Sequence, residues 1–326
     1  MSAASFAVPG ERGRLVFSSS EYPIRVTGTK VVTPDSSFLS MLVSSVSGVA
    51  ESLFATLFPS DCRLCGVPLV NISRLPVCQP CLTEMRPIAG GVCSVCGERV
   101  FSPYALSGEA GETRCGLCRR LEPPFVKASA YGSYDGGLRE LIHLLKYEQV
   151  RPAAVVLGRM LAEAVAGLES CWSQQRPVMV VPVPLHARKL RRRGFNQSEL
   201  IARAAIQRDA SRFGAGSGHL ELRLRVLERR RETQSQTGLT RHQRRENIRG
   251  SFAVARPEEI AGREILLVDD VFTTGTTVSE CARVLRRAGA SKVWVATVAR
   301  TLKAEANVKS MDRPQTWAGR PLAATG

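Results

Sequence analysis

Apolar positions along the chain change their period several times, and each change marks a new element. Leu138, Leu141, Ile142 and Leu145 recur at three- and four-residue spacing, as do Val156, Met160, Ala164 and Leu168, so an amphipathic helix is predicted over each set. Val178 to Val183 is an unbroken apolar run of the length of a buried strand. Pro182 and Pro184 then turn the chain out of the sheet into a loop over 185–195. Asn196, with Glu199 three residues on and Leu200-Ile201-Ala202 behind it, has the form of a capped helix start. Ile265 to Val268 reads as a second short buried strand, Val278 to Ala288 as a helix stopped by Gly289, and Lys292 to Val298 as another strand. Strand and helix character alternate from Ala128 onward, which implies an α/β domain around a largely parallel sheet. Between Arg229 and Gly250 the chain is polar, basic and weakly periodic, and a long mobile loop or hairpin is expected.

The N-terminal part lacks such patterning. Residues 1–50 are rich in Ser, Thr, Gly and Pro, and are expected to be a disordered lead or a start placed too early, with Met41 as a candidate start. The apolar stretch from Phe38 to Phe58 is interrupted by Ser40, Ser44, Ser45, Ser47 and Glu51, short of the roughly 20 apolar residues that span a bilayer. It also has no signal-peptide pattern, so a cytoplasmic protein without a membrane span is expected. Residues 51–122 hold paired cysteines and few apolar runs, residues 123–300 form the α/β domain, and a disordered tail is expected over 301–326. A net charge of +16, concentrated in runs such as Arg191-Arg192-Arg193, points to polyanionic partners: a phosphate-rich small molecule, a nucleic-acid backbone or an anionic surface.

Ten cysteines in a chain of this kind need an explanation other than disulfides. Eight of them form four Cys-x-x-Cys pairs, Cys62/Cys65, Cys78/Cys81, Cys93/Cys96 and Cys115/Cys118. Two pairs supply the four thiolates of a structural zinc site, and a segment this poor in apolar residues needs such a staple to fold. The simplest assignment gives one zinc ion to Cys62, Cys65, Cys78 and Cys81 and a second to Cys93, Cys96, Cys115 and Cys118. Crossed pairing of neighbouring pairs is the alternative. Four successive pairs without a βαβ unit do not fit a redox-active pair. Cys281, at core spacing with Val278, Val284 and Leu285, is read as a small buried hydrophobe.

The sharpest chemical signal is Ile265-Leu266-Leu267-Val268-Asp269-Asp270-Val271-Phe272-Thr273-Thr274-Gly275-Thr276-Thr277. A buried strand presents adjacent carboxylates, then a short Thr/Gly loop opens a helix whose free amides can hold a phosphate. This string resembles the phosphoribosyl pyrophosphate (PRPP) motif of type I phosphoribosyltransferases. The segment from Val181-Pro182-Val183-Pro184 through Arg193-Gly194-Phe195-Asn196-Gln197-Ser198-Glu199 is similar, more narrowly, to the ComF family linked to DNA uptake and natural competence. Leu144-Leu145-Lys146-Tyr147, Arg244-Arg245-Glu246-Asn247 and the four cysteine pairs add to that likeness.

The resemblance implies a type I phosphoribosyltransferase-like parallel sheet flanked by helices, preceded by a small double zinc ribbon. It implies PRPP bound with Mg²⁺, with Asp269 and Asp270 on the ribose hydroxyls in the catalytic position. Thr273, Thr274, Gly275, Thr276 and Thr277 would cradle phosphate, and Arg188, Lys189, Arg193, Lys146 and Arg244 would supply cations. A flexible loop around Thr233, Gln236 and Arg244 would close over the site. Two functions are compatible with this: PRPP binding with pentosyl transfer to an acceptor, or a non-catalytic scaffold for single-stranded DNA that uses the ribbon and the basic loops. A competence helicase-like partner is expected on the same resemblance.

Overall fold

The computed structural model describes residues 61–69, 74–101, 113–173, 176–213, 219–233 and 241–303. Expectations for residues 1–50, for Gln236 and for the tail beyond 303 fall outside these residues.

Five parallel strands make the central sheet: β1 (Ala128–Ser133), β2 (Val178–Pro182), β3 (Leu220–Leu222), β6 (Glu264–Phe272) and β7 (Lys292–Arg300), in the order β1-β7-β6-β2-β3. The short β4 (Leu227–Arg229) and β5 (Phe252–Val254) form a separate antiparallel pair. The helices are α1 (Gln79–Glu84), α2 (Gly116–Arg120), α3 (Gly136–Tyr147), α4 (Ala153–Ala166), α5 (Ala187–Arg193), α6 (Gln197–Phe213), α7 (Arg241–Ile248), α8 (Pro257–Ile260) and α9 (Thr276–Arg287). No helix among the described residues is long and apolar enough to cross a membrane.

Apolar side chains of β2, β6 and β7 alternate between two cores, as strands buried on both faces require. Val178, Val180, Leu266, Val268, Trp294 and Ala296 face α3, α4 and α6, while Met179, Val181, Ile265, Leu267, Val293 and Val295 face α8 and α9. Predicted helical residues Leu138, Leu141, Ile142 and Leu145 on α3 are all buried. Helix α4 lies close against α6 because Gly158 carries no side chain; a Cβ there would meet the Ala204 Cβ at 2.5 Å.

The cysteine modules do not stand apart from these cores. Cys62, Leu75, Val77 and Met85 belong to the core of α3 and α4, and Cys93, Val95, Cys96, Cys115 and Cys118 to that of α8 and α9. Backbone bonds join both modules to the edge strand β1. The Ile88 N–H donates to the Tyr131 carbonyl (2.7 Å), and the Ala128 N–H to the Val95 carbonyl (2.7 Å). An edge strand open to further pairing is thereby engaged by the chain's own ribbon.

Several boundaries depart from the sequence reading. The strand expected over 265–268 runs to Phe272, because β7 continues beside it to Arg300 after β2 has ended at Pro182 opposite Val268. The basic loop 185–195 contains helix α5, closed by Gly194 in the left-handed conformation. Helix α7 occupies part of the stretch read as a loop or hairpin, and among the described residues β4 and β5 pair antiparallel at its two ends.

Candidate functional site

Strand β6 carries Asp269 and Asp270 beyond the last β2 pairing; Asp269 stays in register with Thr297 of β7, the Asp270 N–H donates to the Asp269 carboxylate (3.0 Å), and the side left by β2 is open to α3, α5 and α6. Asp270 is buried and forms an ion pair with Lys146 from the last turn of α3. The Gln197 amide donates to Asp270 (3.3 Å), and the Ser198 hydroxyl to Asp269 (3.0 Å). Both donors stand in the first turn of α6, a start fixed as expected by Asn196, whose side-chain Oδ1 accepts the Ser198 N–H (3.2 Å). Glu199 does not complete a capping box; it pairs with Arg203 one turn on.

The adjacent carboxylates titrate in opposite directions. Burial and the neighbouring Asp270 charge push Asp269 up to about 8. Burial pushes Asp270 up too, but the Lys146 ammonium together with the hydrogen bonds from Asp269 and Gln197 outweighs it and holds that carboxyl below its ordinary value.

Beyond the carboxylates, Gly275 caps α9 with φ 73°, and no side chain among the described residues caps that helix. A Cβ on Gly275 would lie 2.5 Å from Cζ of Phe272, so both backbone angle and space demand glycine. The Thr274 and Thr276 hydroxyls lie 2.7 Å apart; Thr273 is exposed, Thr276 buried and Thr277 half-buried. Hydroxyls and the first-turn amides of α9 make this loop chemically suited to a phosphate.

On the α5 side a group of cations converges. Burial, then Arg229, Arg193 and Arg192, depress the Lys189 ammonium, and burial also lowers Arg193 and Arg229. Arg193 lies over the Tyr147 ring (5.7 Å) and is bonded to Gln197. Like charges crowded in this way favour an anion between them. Arg188 instead reaches out to the exposed Glu232 (3.1 Å), and Arg244 lies on α7, which packs on α9. Gln197, Ser198 and Arg229 were not singled out from sequence. The first two lie inside the Asn196–Glu199 helix start, the signal that could have marked them.

The eight paired cysteines form two sets, Cys62, Cys65, Cys78, Cys81 and Cys93, Cys96, Cys115, Cys118, with the sulfurs of each within 4.8 Å of one another. This is the sequential pairing. The Cys62–Cys81, Cys65–Cys78 and Cys96–Cys115 separations of 3.9, 3.6 and 3.7 Å match the roughly 3.8 Å between sulfurs at the corners of a tetrahedron with zinc–sulfur bonds of about 2.3 Å. The two knuckles repeat bond for bond: Cys62 N–H to Val67 carbonyl and Gly66 N–H to Cys62 carbonyl (both 2.8 Å), against Cys93 to Glu98 (2.8 Å) and Gly97 to Cys93 (2.9 Å). Gly66 and Gly97 have φ of 74° and 70°, whereas Gly116 opens α2. Hydrogen bonding with Cys118 holds the Cys93 thiol far below its usual range, and the reciprocal contact pushes Cys118 far above it. Thiols so close share charge badly without a cation, and the donor set fits zinc. Cys281 is fully buried, as its spacing predicted.

Residues 53–119 match the family model described as a double zinc ribbon domain, and residues 210–322 that described as a phosphoribosyl transferase domain. The sheet begins before the second match, at β1 and β2. Among curated proteins, DNA utilization protein YhgH of Salmonella typhimurium is 31% identical over 244 residues, covering 75% of this chain and 98% of its own. Its Escherichia coli K12 counterpart is 34% identical over 65% of this chain and 91% of its own. Competence protein F of Haemophilus influenzae is 30% identical over 68% and 96%. Among solved structures, a Staphylococcus aureus hypoxanthine phosphoribosyltransferase aligns with 47% of this chain and 69% of its own at 16% identity, with a TM-score of 0.29. A score that low adds nothing to the strand order and the family matches.

Proposed function

Because the chain belongs to the family that includes DNA utilization protein YhgH and Competence protein F, a double zinc ribbon joined to a phosphoribosyltransferase-type sheet, we propose that it binds PRPP with Mg²⁺ in the service of DNA utilisation. The observation that carries this reading is the juxtaposition of Asp269 and Asp270 with the Thr/Gly loop at the N-terminus of α9, on one strand. Vicinal ribose hydroxyls would donate to the carboxylates, and the 5′-phosphate would take the hydroxyls and amides of residues 273–277. Lys189, Arg193 and Arg229 then surround the space where a pyrophosphate would extend. Mg²⁺, held by oxygens of the bound PRPP, would neutralise part of its charge. In a transfer step the C1–O bond to pyrophosphate breaks as an acceptor nucleophile bonds to C1, and the departing charge falls among these cations.

A second reading rests on α5, where Arg191 and Arg192 are exposed and form no ion pair among the described residues: single-stranded nucleic acid lies along these cations, with the sheet as scaffold. A melting experiment separates the two. PRPP with Mg²⁺ is expected to raise the melting temperature of the full chain with increasing concentration, as a ligand of the native state must. No shift with PRPP, alongside salt-sensitive binding of a single strand that Arg191→Ala with Arg192→Ala weakens, would replace the first reading by the second.

A further inference from the structure

We propose that Arg300 couples the second zinc knuckle to the phosphate loop, so that the metal in that knuckle positions the loop. This rests on the phosphate-loop reading for its functional consequence, though not for the coupling itself.

Arg300 ends β7 and is only 4% exposed. Its guanidinium donates to the Cys96 carbonyl (2.5 Å) and approaches the Cys96 sulfur (3.7 Å), while also pairing with Glu98 (3.2 Å). Glu98 is itself bonded by the Lys303 N–H (3.1 Å) and the Arg99 N–H (3.2 Å), so the anion is fixed on the knuckle. On its other face Arg300 lies over the Phe272 ring, 4.3 Å from the centroid. That ring fills the space a Gly275 side chain would take, and Phe125 holds it edge-on at 6.2 Å. Cys96, Arg300, Phe272 and Gly275 also line one cavity of about 540 Å³. The path from zinc ligand to loop glycine is thus continuous contact: Cys96, Arg300, Phe272, Gly275.

The physical reason for the link is charge. Four thiolates around one divalent ion carry a net double negative charge, and a buried guanidinium bonded to a ligand sulfur and carbonyl offsets it and orients the ligand. When the ion leaves, the Cys96 sulfur and carbonyl that Arg300 contacts are no longer held in place, and its plane over Phe272 is no longer fixed. The first knuckle reaches α3 differently: Leu64 packs on Gly137 at its start, and Arg63 forms an exposed ion pair with Glu148 just past its end (3.2 Å), with no buried guanidinium on a ligand sulfur among the described residues.

The test uses the full, zinc-loaded chain. Arg300→Met is expected to release one of its two zinc ions to a chromogenic chelator about 10- to 100-fold faster, the range for removing an outer-shell partner, with the other ion unchanged. Amide exchange over 271–277 is expected to accelerate with it, while 62–69 stays protected. Arg300→Lys, which keeps the charge without the planar fork, is expected to fall between. If Arg300→Met does not fold, the same readout is taken on the wild type after the faster-released ion is withdrawn, and loss of protection over 271–277 supports the coupling. A folded Arg300→Met that releases both ions at wild-type rates, or a chelated wild type with 271–277 still protected, overturns it. PRPP binding by the wild type is measured in parallel: its absence sinks the ligand assignment alone, since zinc release and exchange do not depend on it.

Discussion

Asp269 and Asp270 are neighbours in sequence, but only Asp270 is paired with a cation, and this separates their behaviour with pH. Asp269 is raised from 3.8 to about 8, so between these values the native state holds a proton that the unfolded state has lost. Its contribution to stability therefore falls as pH rises through that window, with a slope of at most about 1.4 kcal/mol per pH unit. Asp269→Asn is expected to remove that slope, seen as a flatter dependence of the urea midpoint between pH 5 and 8 than in the wild type. Identical slopes would mean that Asp269 is ionised throughout. Asp270 has the opposite dependence and a different vulnerability. Lys146→Met leaves its carboxylate buried without a counter-charge and is expected to cost about 3–5 kcal/mol. Adding Asp270→Asn should recover much of that loss in a double-mutant cycle. For the same reason Asp270→Asn alone is not a neutral probe of the site, despite its matched size.

At the scale of elements, the loop between β6 and α9 depends on one residue. Gly275→Ala combines a positive φ with a Cβ set against the Phe272 ring, and is expected to destabilise the protein by more than about 1 kcal/mol. Phe272→Leu in the same chain should relieve the crowding and leave the backbone strain, so partial recovery in chemical denaturation is the expected result. Full recovery would show that φ at this position is not constrained.

The helices α3, α4 and α9 were legible because a long apolar face has a period that few alternatives share. The capped start at Asn196 was legible because cap chemistry is local. Helix α5 was hidden by Pro182, Pro184 and a run of cations that carries no apolar stripe, and α7 by the same lack of pattern. The true length of β6 depends on β7 as a partner, which no local signal contains. The carboxylate–Thr/Gly motif and the zinc ligands could be read because their chemistry fixes their spacing. The contacts of Lys146, Gln197 and Ser198 with the carboxylates span separations of 71 or more residues and emerge only when α3 and α6 pack on one face.

For the whole molecule, the two knuckles sit in the two cores on opposite faces of the sheet, so the ribbon braces the α/β part as well as folding itself. On the proposed reading, the excess of positive charge and the cation group beside Asp270 would serve one purpose, to hold a multiply charged anion near the strand ends. The most direct test of this account is calorimetric titration of the zinc-loaded chain with PRPP and Mg²⁺ above pH 8, where Asp269 is ionised, repeated on Asp269→Asn. The account predicts one site per chain in the wild type and an affinity about tenfold or more weaker in the variant, the loss expected when hydrogen bonds to a carboxylate are removed. No binding by the folded, zinc-loaded wild type, or equal affinity in the variant, would contradict it.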